Sequence, residues 1–320
     1  MPIAPARLAL ILAGLLLLVS LASLLLGAGA TIDELWHGDP FAWSLVLQLR
    51  APRLVLALAA GSLLALCGAS LQAQFRNPLA EPGLIGVSAG AALGAALALA
   101  ASAPFWLVLP ASLAGALTAT HLAQRLAGHS GNATELLLAG VAINAFAAAL
   151  LTLVISFADD QSLRGITFWL MGSLALADWP LAAGLALVAV TGLALLWPRW
   201  RLLNALLLGE RTAFHAGFAV ARERRMLVWL TATLVALTIS LTGGIGFIGL
   251  IVPQLVRRLS GGHYRQLLPL SALGGGLLLA LADLLARLAV APAELPVGAI
   301  TSLAGAPFFL WLLRQRRGLR

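Results

Sequence analysis

The sequence predicts an all-α, polytopic integral membrane protein with about ten transmembrane helices. Three observations carry the prediction. Hydrophobic residues make up 61% of the 320 positions, about 195 in all, and charged residues only 10%. The mean hydropathy of +0.99 lies far outside the range of soluble domains. The charge-free stretches are long enough to cross a bilayer, which takes about 20 predominantly apolar residues per helix.

Taken in order, the first charge-free stretch is Leu8–Ala30. Its 23 residues exceed the roughly 7–15 of a signal-peptide core, so the helix is read as retained even though Ala28-Gly29-Ala30 looks like a cleavage site. Leu54–Phe75 is the second span, led in by Arg50-Ala51-Pro52-Arg53, whose proline suits the first turn of a helix. Pro82–Gln124, at 43 residues, is double length and breaks at Ala101-Ser102-Ala103-Pro104. Leu136–Ala158 and Trp179–Pro198 add one helix each. Met226–Val256, 31 residues long, divides at Thr242-Gly243-Gly244-Ile245-Gly246, where adjacent glycines weaken a helix and leave the eighth one short. Gln266–Ala282 and Leu295–Leu313 complete the ten.

Charge sets the expected orientation. With the N-terminus inside and ten crossings, 16 of the 20 arginines fall on the cytoplasmic side, together with both termini. Arg50, Arg53, Arg164 and Arg287 remain outside, with Asp33, Glu34, Asp39, Asp159, Asp160, Asp178 and Glu294. The net charge of +8 is therefore read as topology and not as nucleic-acid binding.

Several chemistries are excluded. The chain has no lysine, so it holds neither a GxxxxGK[ST] phosphate loop nor a Schiff-base lysine, and any ATP is hydrolysed by another chain. Its single cysteine, Cys67, allows no internal disulfide. His37, His121, His129, His215 and His263 are scattered without metal-ligand spacing, and no HExxH or DDxxD pattern is present, so no metal or catalytic site is read. Asn132-Ala133-Thr134 matches a glycosylation sequon but falls on the expected cytoplasmic side.

The informative residues lie at the expected boundaries. Arg50, Arg53 and Arg287 either snorkel to headgroups or offer bidentate pairing to carboxylates of a docking protein. Asp283 and Arg287, four apart on one helix, form a structural ion pair inside the bundle. Residues 77–90 are dense in helix breakers at membrane depth, where irregular backbone is tolerated only in protein or beside a wet cavity, although Ser88 and Gly90 also suit close helix packing. Residues 199–225, the longest polar connection, form either a docking surface or an interfacial amphipathic segment.

These residues also carry a resemblance. Leu49-Arg50-Ala51-Pro52-Arg53, Gly68-Ala69-Ser70-Leu71-Gln72, Arg76-Asn77-Pro78-Leu79-Ala80-Glu81-Pro82-Gly83 and Leu208-Gly209-Glu210 come in that order. They are followed by Gly246-Phe247-Ile248-Gly249-Leu250-Ile251-Val252-Pro253, Ala282-Asp283-Leu284-Leu285-Ala286-Arg287 and Gly305-Ala306-Pro307-Phe308. Together they resemble the FecCD-type permease subunits of ABC importers for iron-siderophores, haem and cobalamin. The resemblance implies one transmembrane permease domain over 1–320 that homodimerises in the bacterial inner membrane, with 199–225 as its cytoplasmic coupling loop. It implies two separate ATPase subunits, which hold the ATP, and a periplasmic substrate-binding protein, with no cofactor on this chain.

By the same resemblance, Arg50, Arg53 and Arg287 match arginines that receive acidic residues of the binding protein. Leu208, Gly209, Glu210, Ala213 and Gly217 match the helices that seat in the ATPase, and Asn77, Leu79 and Thr134 match positions near a cytoplasmic gate. Gln254 departs from the histidine that often follows the proline of the GLIxP motif, so no role is carried over to it. The expected cargo is an iron complex, a ferric siderophore or haem. Cobalamin import is the alternative within the family, and an ion-coupled secondary transporter, with Asp283 as its intramembrane acid, is the alternative outside it.

Overall fold

The computed structural model describes residues 3–27, 29, 32–128, 133–291 and 293–317, the side chains of 311–313 and 315–317 excepted. Ala28, Ala30, His129 and Asn132, singled out in the sequence, lie outside the described residues. Regular structure among the described residues is helical, with no strand. The first half contains α1 (Pro5–Leu25), α2 (Pro40–Gln74), α3 (Val87–Ala100), α4 (Phe105–Leu126), α5 (Ala133–Phe157) and α6 (Asp160–Met171). The second contains α7 (Trp179–Leu208), α8 (Glu210–His215), α9 (Val220–Thr242), α10 (Ile248–Ser260), α11 (Tyr264–Leu288) and α12 (Val297–Arg317). Seven of these, α1, α2, α4, α5, α7, α9 and α11, are long and apolar enough to cross a membrane among the described residues.

Burial separates helices of similar hydropathy. α2 and α11 are mostly enclosed, whereas α1, α5 and α7 expose Leu10, Leu17, Val141, Leu153, Leu187 and Val190. An apolar helix that stays exposed is suited to lipid, because its backbone hydrogen bonds close within the segment.

Both anticipated breaks are present. α3 stops at Ala100, Ser102 takes a φ of 53°, and α4 restarts after Pro104. α9 stops at Thr242, where Gly243 has a φ of 68°, and α10 begins at Ile248 after Phe247, itself at a φ of 67°. Phe247 spends that unfavourable conformation laying its ring against Gly305 of α12, where an added Cβ would collide with it.

Other boundaries differ from the sequence expectation, for definite reasons. The second helix starts at Pro40, not at Arg50, because Asp39 Oδ1 caps it by accepting the Phe41 N–H at 2.9 Å. It reaches Arg50 through a π turn over Val46–Arg50, which ends two residues before Pro52, the residue that lacks a backbone donor. α7 continues past Pro198 through a 3-10 turn to Leu208, so the first part of the 199–225 segment is helix, with Leu202, Leu203 and Leu206 buried. α11 continues past Ala282 to Leu288 and includes Asp283 and Arg287. At the head of α6, the Ser162 N–H donates to Asp159 Oδ1 at 2.7 Å, which holds that carboxyl below its usual range.

The described chain forms two compact units: Met1–Leu66, Gly172–Leu193 and Ile245–Arg320 in one, Cys67–Met171 and Ala194–Gly244 in the other. Each is packed through small residues. In the first, Gly61 of α2 and Gly275 of α11 face each other so closely that a Cβ on either would strike the other's carbonyl. In the second, Gly90 of α3 meets Gly115 of α4, and Gly94 meets Ala111. Close backbone approach of this kind supplies the van der Waals packing that holds helices together where lipid removes the hydrophobic drive. The 3-10 turn Pro82–Ile85 is seated similarly: Gly140 of α5 leaves room for the Leu84 carbonyl, and Asn144 Nδ2 donates to Gly83 O at 2.8 Å.

Gly275→Val places its side chain into Gly61 and Ala65, and the expected result is a loss of about 1–3 kcal/mol of stability. Gly14→Val on α1, with nothing within 4 Å, is expected to leave the protein unchanged. Thermal melts of the two variants in one detergent check this, and equal melting temperatures would refute the close-packing account.

Candidate functional site

Arg50 and Arg53 sit three apart on α2 and therefore share a face. Asp283 and Arg287 sit four apart on α11, and Glu294 lies in the connection to α12, where the Leu295 N–H donates to Ala286 O at 3.1 Å. The fold joins these five residues. Arg53 Nε donates to Asp283 Oδ1 at 2.9 Å, and Arg53 Nη1 donates to both oxygens of Glu294, at 3.0 and 2.8 Å. Arg287 Nε lies 3.2 Å from Asp283 Oδ2, an i, i+4 ion pair.

The other two guanidiniums also hold the end of α1. Arg50 Nη1 donates to Leu24 O at 2.8 Å and Leu25 O at 3.2 Å, and its Nη2 donates to Gly27 O at 3.0 Å. Arg287 Nη2 donates to Ser23 O at 3.1 Å and to Ser23 Oγ at 2.6 Å. Those carbonyls include ones a helix C-terminus leaves without intrahelical donors, and its dipole favours cations there. Asp283 is 1% exposed, whereas Glu294 leaves 44% of its side chain open. Beside the cluster is a cavity of about 320 Å³, bordered by Gly27, Arg50, Arg53, Arg287 and Glu294.

The 199–225 segment is built differently. Gly209 (φ 120°) and Gly217 (φ 89°) bracket the six-residue α8, and both φ values are ones that glycine accommodates freely. Ala213 is its buried anchor, while Leu208 and Phe214 are exposed. Arg224, 3% exposed on α9, donates to Glu210 Oε1 at 2.8 Å and ties the start of α8 to the next helix. A cavity of about 270 Å³ lies among Glu210, Phe214, His215, Val220 and Arg224.

Of the remaining sequence candidates, Asn77 and Leu79 share one turn after α2, where Asn77 Oδ1 accepts the Leu79 N–H at 2.9 Å. Thr134 stands exposed in the first turn of α5. Sequence reasoning missed the Arg53–Glu294 link, the burial of Arg224 and the Asn144 bond. Partners 241, 14 and 61 positions apart leave no periodic signal, and only the run of arginines at 222, 224 and 225 marked the neighbourhood of Arg224.

The match to a known family is decisive: the model of the FecCD transport family aligns with residues 10–315. The chain belongs to the FecCD transport family. As a FecCD permease it is a transport component of an ABC importer and not an enzyme, and the ATPase of such importers is a separate chain. The hemin transport system permease protein HmuU of Yersinia pestis is 41% identical over 319 residues, covering 96% of this chain and 95% of HmuU. The vitamin B12 import system permease protein BtuC of Citrobacter koseri is 41% identical over 287 residues, covering 88% of this chain and 85% of BtuC.

A solved inward-facing structure assigned to the metal-chelate type of ABC transporter superposes with a TM-score of 0.88 at 32% identity, over 97% of this FecCD chain and 99% of that one. PsaBC of Streptococcus pneumoniae, at 20% identity and a TM-score of 0.56, shares the fold alone. The family sets aside the ion-coupled carrier, and the geometry agrees: Asp283 is held by two guanidiniums, a poor state for an acid that must take up and release an ion.

Asp283→Asn leaves Arg53 and Arg287 buried without that carboxylate, and about 3–5 kcal/mol of stability should be lost. Glu294→Gln, at a half-open site, should cost no more than about 1 kcal/mol. Thermal melts of both variants check the contrast, and an Asp283→Asn protein as stable as Glu294→Gln would refute the pairing described.

Proposed function

We propose that this FecCD chain moves an iron complex, haem or a ferric siderophore, inward across the bacterial inner membrane by alternating access. The observation that carries the cargo reading is the identity to HmuU over nearly the full length of both chains. The identity to BtuC favours a second reading, cobalamin, carried by the same machinery.

In this proposal α3, α10 and α12 join the seven long helices to make ten crossings, with both termini in the cytoplasm. Two copies of the chain pair around an axial path. A pair of ATPase subunits binds and hydrolyses ATP below, and a periplasmic binding protein delivers cargo above. The arginines Arg50, Arg53 and Arg287 bordering the larger cavity are the binding-protein seat, chosen because guanidiniums at an open pocket match carboxylates of a partner. Leu208, Gly209, Glu210, Ala213 and Gly217 form the ATPase seat: α8 is short, framed by glycines, and offers exposed apolar side chains beside it. Asn77, Leu79 and Thr134 lie by the cytoplasmic gate.

Reconstitution with candidate ATPase and binding-protein subunits tests this reading. ATP-dependent uptake of hemin or a ferric siderophore, and not of cobalamin, is the expected result. Uptake of cobalamin alone would replace the cargo, and uptake driven by an ion gradient without ATP would overturn the mechanism. Leu208→Asp, which alters an exposed side chain, is expected to weaken ATPase association about tenfold, measured by co-purification against a melt showing an intact fold.

A further inference from the structure

In the charge cluster, Glu294 differs from Asp283 in three respects. Asp283 is enclosed on a helix between two guanidiniums, whereas Glu294 is half-open and lies on a connection. Both Glu294 oxygens bond to one nitrogen, Arg53 Nη1, and not to two nitrogens in the parallel fork that makes arginine–carboxylate pairs strong. Glu294 also borders the 320 Å³ cavity that Arg50, Arg53 and Arg287 face, a volume far larger than the roughly 30 Å³ share of one water. Among the described residues that line the cavity, the guanidiniums Arg50, Arg53 and Arg287 face the single carboxylate of Glu294, a lining suited to a further carboxylate.

We propose that Glu294 is a placeholder for the binding protein's acidic side chain: it occupies Arg53 while the permease is undocked and is displaced when a carboxylate enters the cavity. The inference rests on the docking role assigned above to Arg50, Arg53 and Arg287. Arg53 Nε stays bonded to Asp283, while the internal carboxylate of Glu294 occupies Nη1, and its one-nitrogen attachment makes it the weaker competitor. Asp283 stays in place throughout, because its removal would strip a buried carboxylate from two arginines. Displacing Glu294 from a half-open site exposes its charge to water at small cost. Docking affinity is thus set by a difference between two carboxylates on the same guanidinium.

The test uses the assembled permease–ATPase complex in nanodiscs and its binding protein emptied of cargo, so that carboxylates on the cargo play no part. Glu294→Gln removes the competing charge and is expected to lower the docking Kd about three- to tenfold at low salt, with the gain shrinking at high salt. Glu294→Asp keeps the charge and shortens its reach. It is expected to fall between wild type and Glu294→Gln, and it serves as the readout should the glutamine variant melt early. Arg50→Gln separates the two ideas. If it and added salt both leave docking unchanged, the docking reading falls and this inference with it. If Arg50→Gln weakens docking while Glu294→Gln leaves it equal or weaker, the arginines are the seat and the placeholder is refuted.

Discussion

One buried carboxylate organises the first unit. Asp283 accepts from Arg53 of α2 and pairs with Arg287 of its own helix, and those arginines in turn reach Glu294 and the end of α1. Taking an ion out of water costs several kcal/mol, a cost offset only when each charge meets an opposite one with good geometry. Here the compensation is shared among α1, α2, α11 and the connection to α12, so none of them satisfies its polar groups independently. The lack of lysine fits this demand. Arg50 spreads its donors over three carbonyls, and Arg53 uses two separate nitrogens for two different carboxylates, neither of which a single ammonium centre does with the same planar geometry.

Elsewhere the packing depends on the absence of side chains. Gly61 against Gly275 and Gly90 against Gly115 bring backbones together in positions that a methyl group would block. Such contacts hold a membrane helix pair because dispersion grows as atoms approach and lipid offers nothing better. The same device seats the Pro82–Ile85 turn on α5 at Gly140, with Asn144 donating to its backbone. Irregular backbone is thereby enclosed in protein, which meets the requirement that membrane depth imposes on residues 77–90.

What the sequence disclosed follows from the range of the forces involved. Breaks at residues 101–104 and 242–246 were legible because proline, serine and paired glycine act on their own backbone. The Asp283–Arg287 spacing was legible for the same reason, since helical geometry fixes it locally. The end of α11 was not: a charge-free criterion stops at Ala282, and only Arg53, from another helix, makes Asp283 acceptable inside. The start of α2 was misplaced because Asp39 and Pro40 cap and open the helix ahead of the arginines that drew attention. Glu294 read as one more outward acid because its partner lies 241 residues earlier, and Arg224 read only as part of the polar 199–225 connection although burial and Glu210 claim it.

The proposed binding-protein seat and the proposed ATPase seat belong to different compact units, and the chain passes between those units four times. Two passages, at residues 66–67 and 193–194, fall inside α2 and α7. There the i to i−4 backbone hydrogen bonds continue across the division, so neither passage is a loop. The other two, at residues 171–172 and 244–245, fall at Gly172, with a φ of 73°, and in the glycine run after α9. Glycine at such positions takes backbone conformations that other residues reach only with strain. α2 carries Arg50 and Arg53 in one unit and ends just ahead of Asn77 and Leu79 in the other, and α7 ends at Leu208. The residues proposed to meet the two partners therefore lie on, or immediately beyond, the two helices within which the chain passes from one unit to the other.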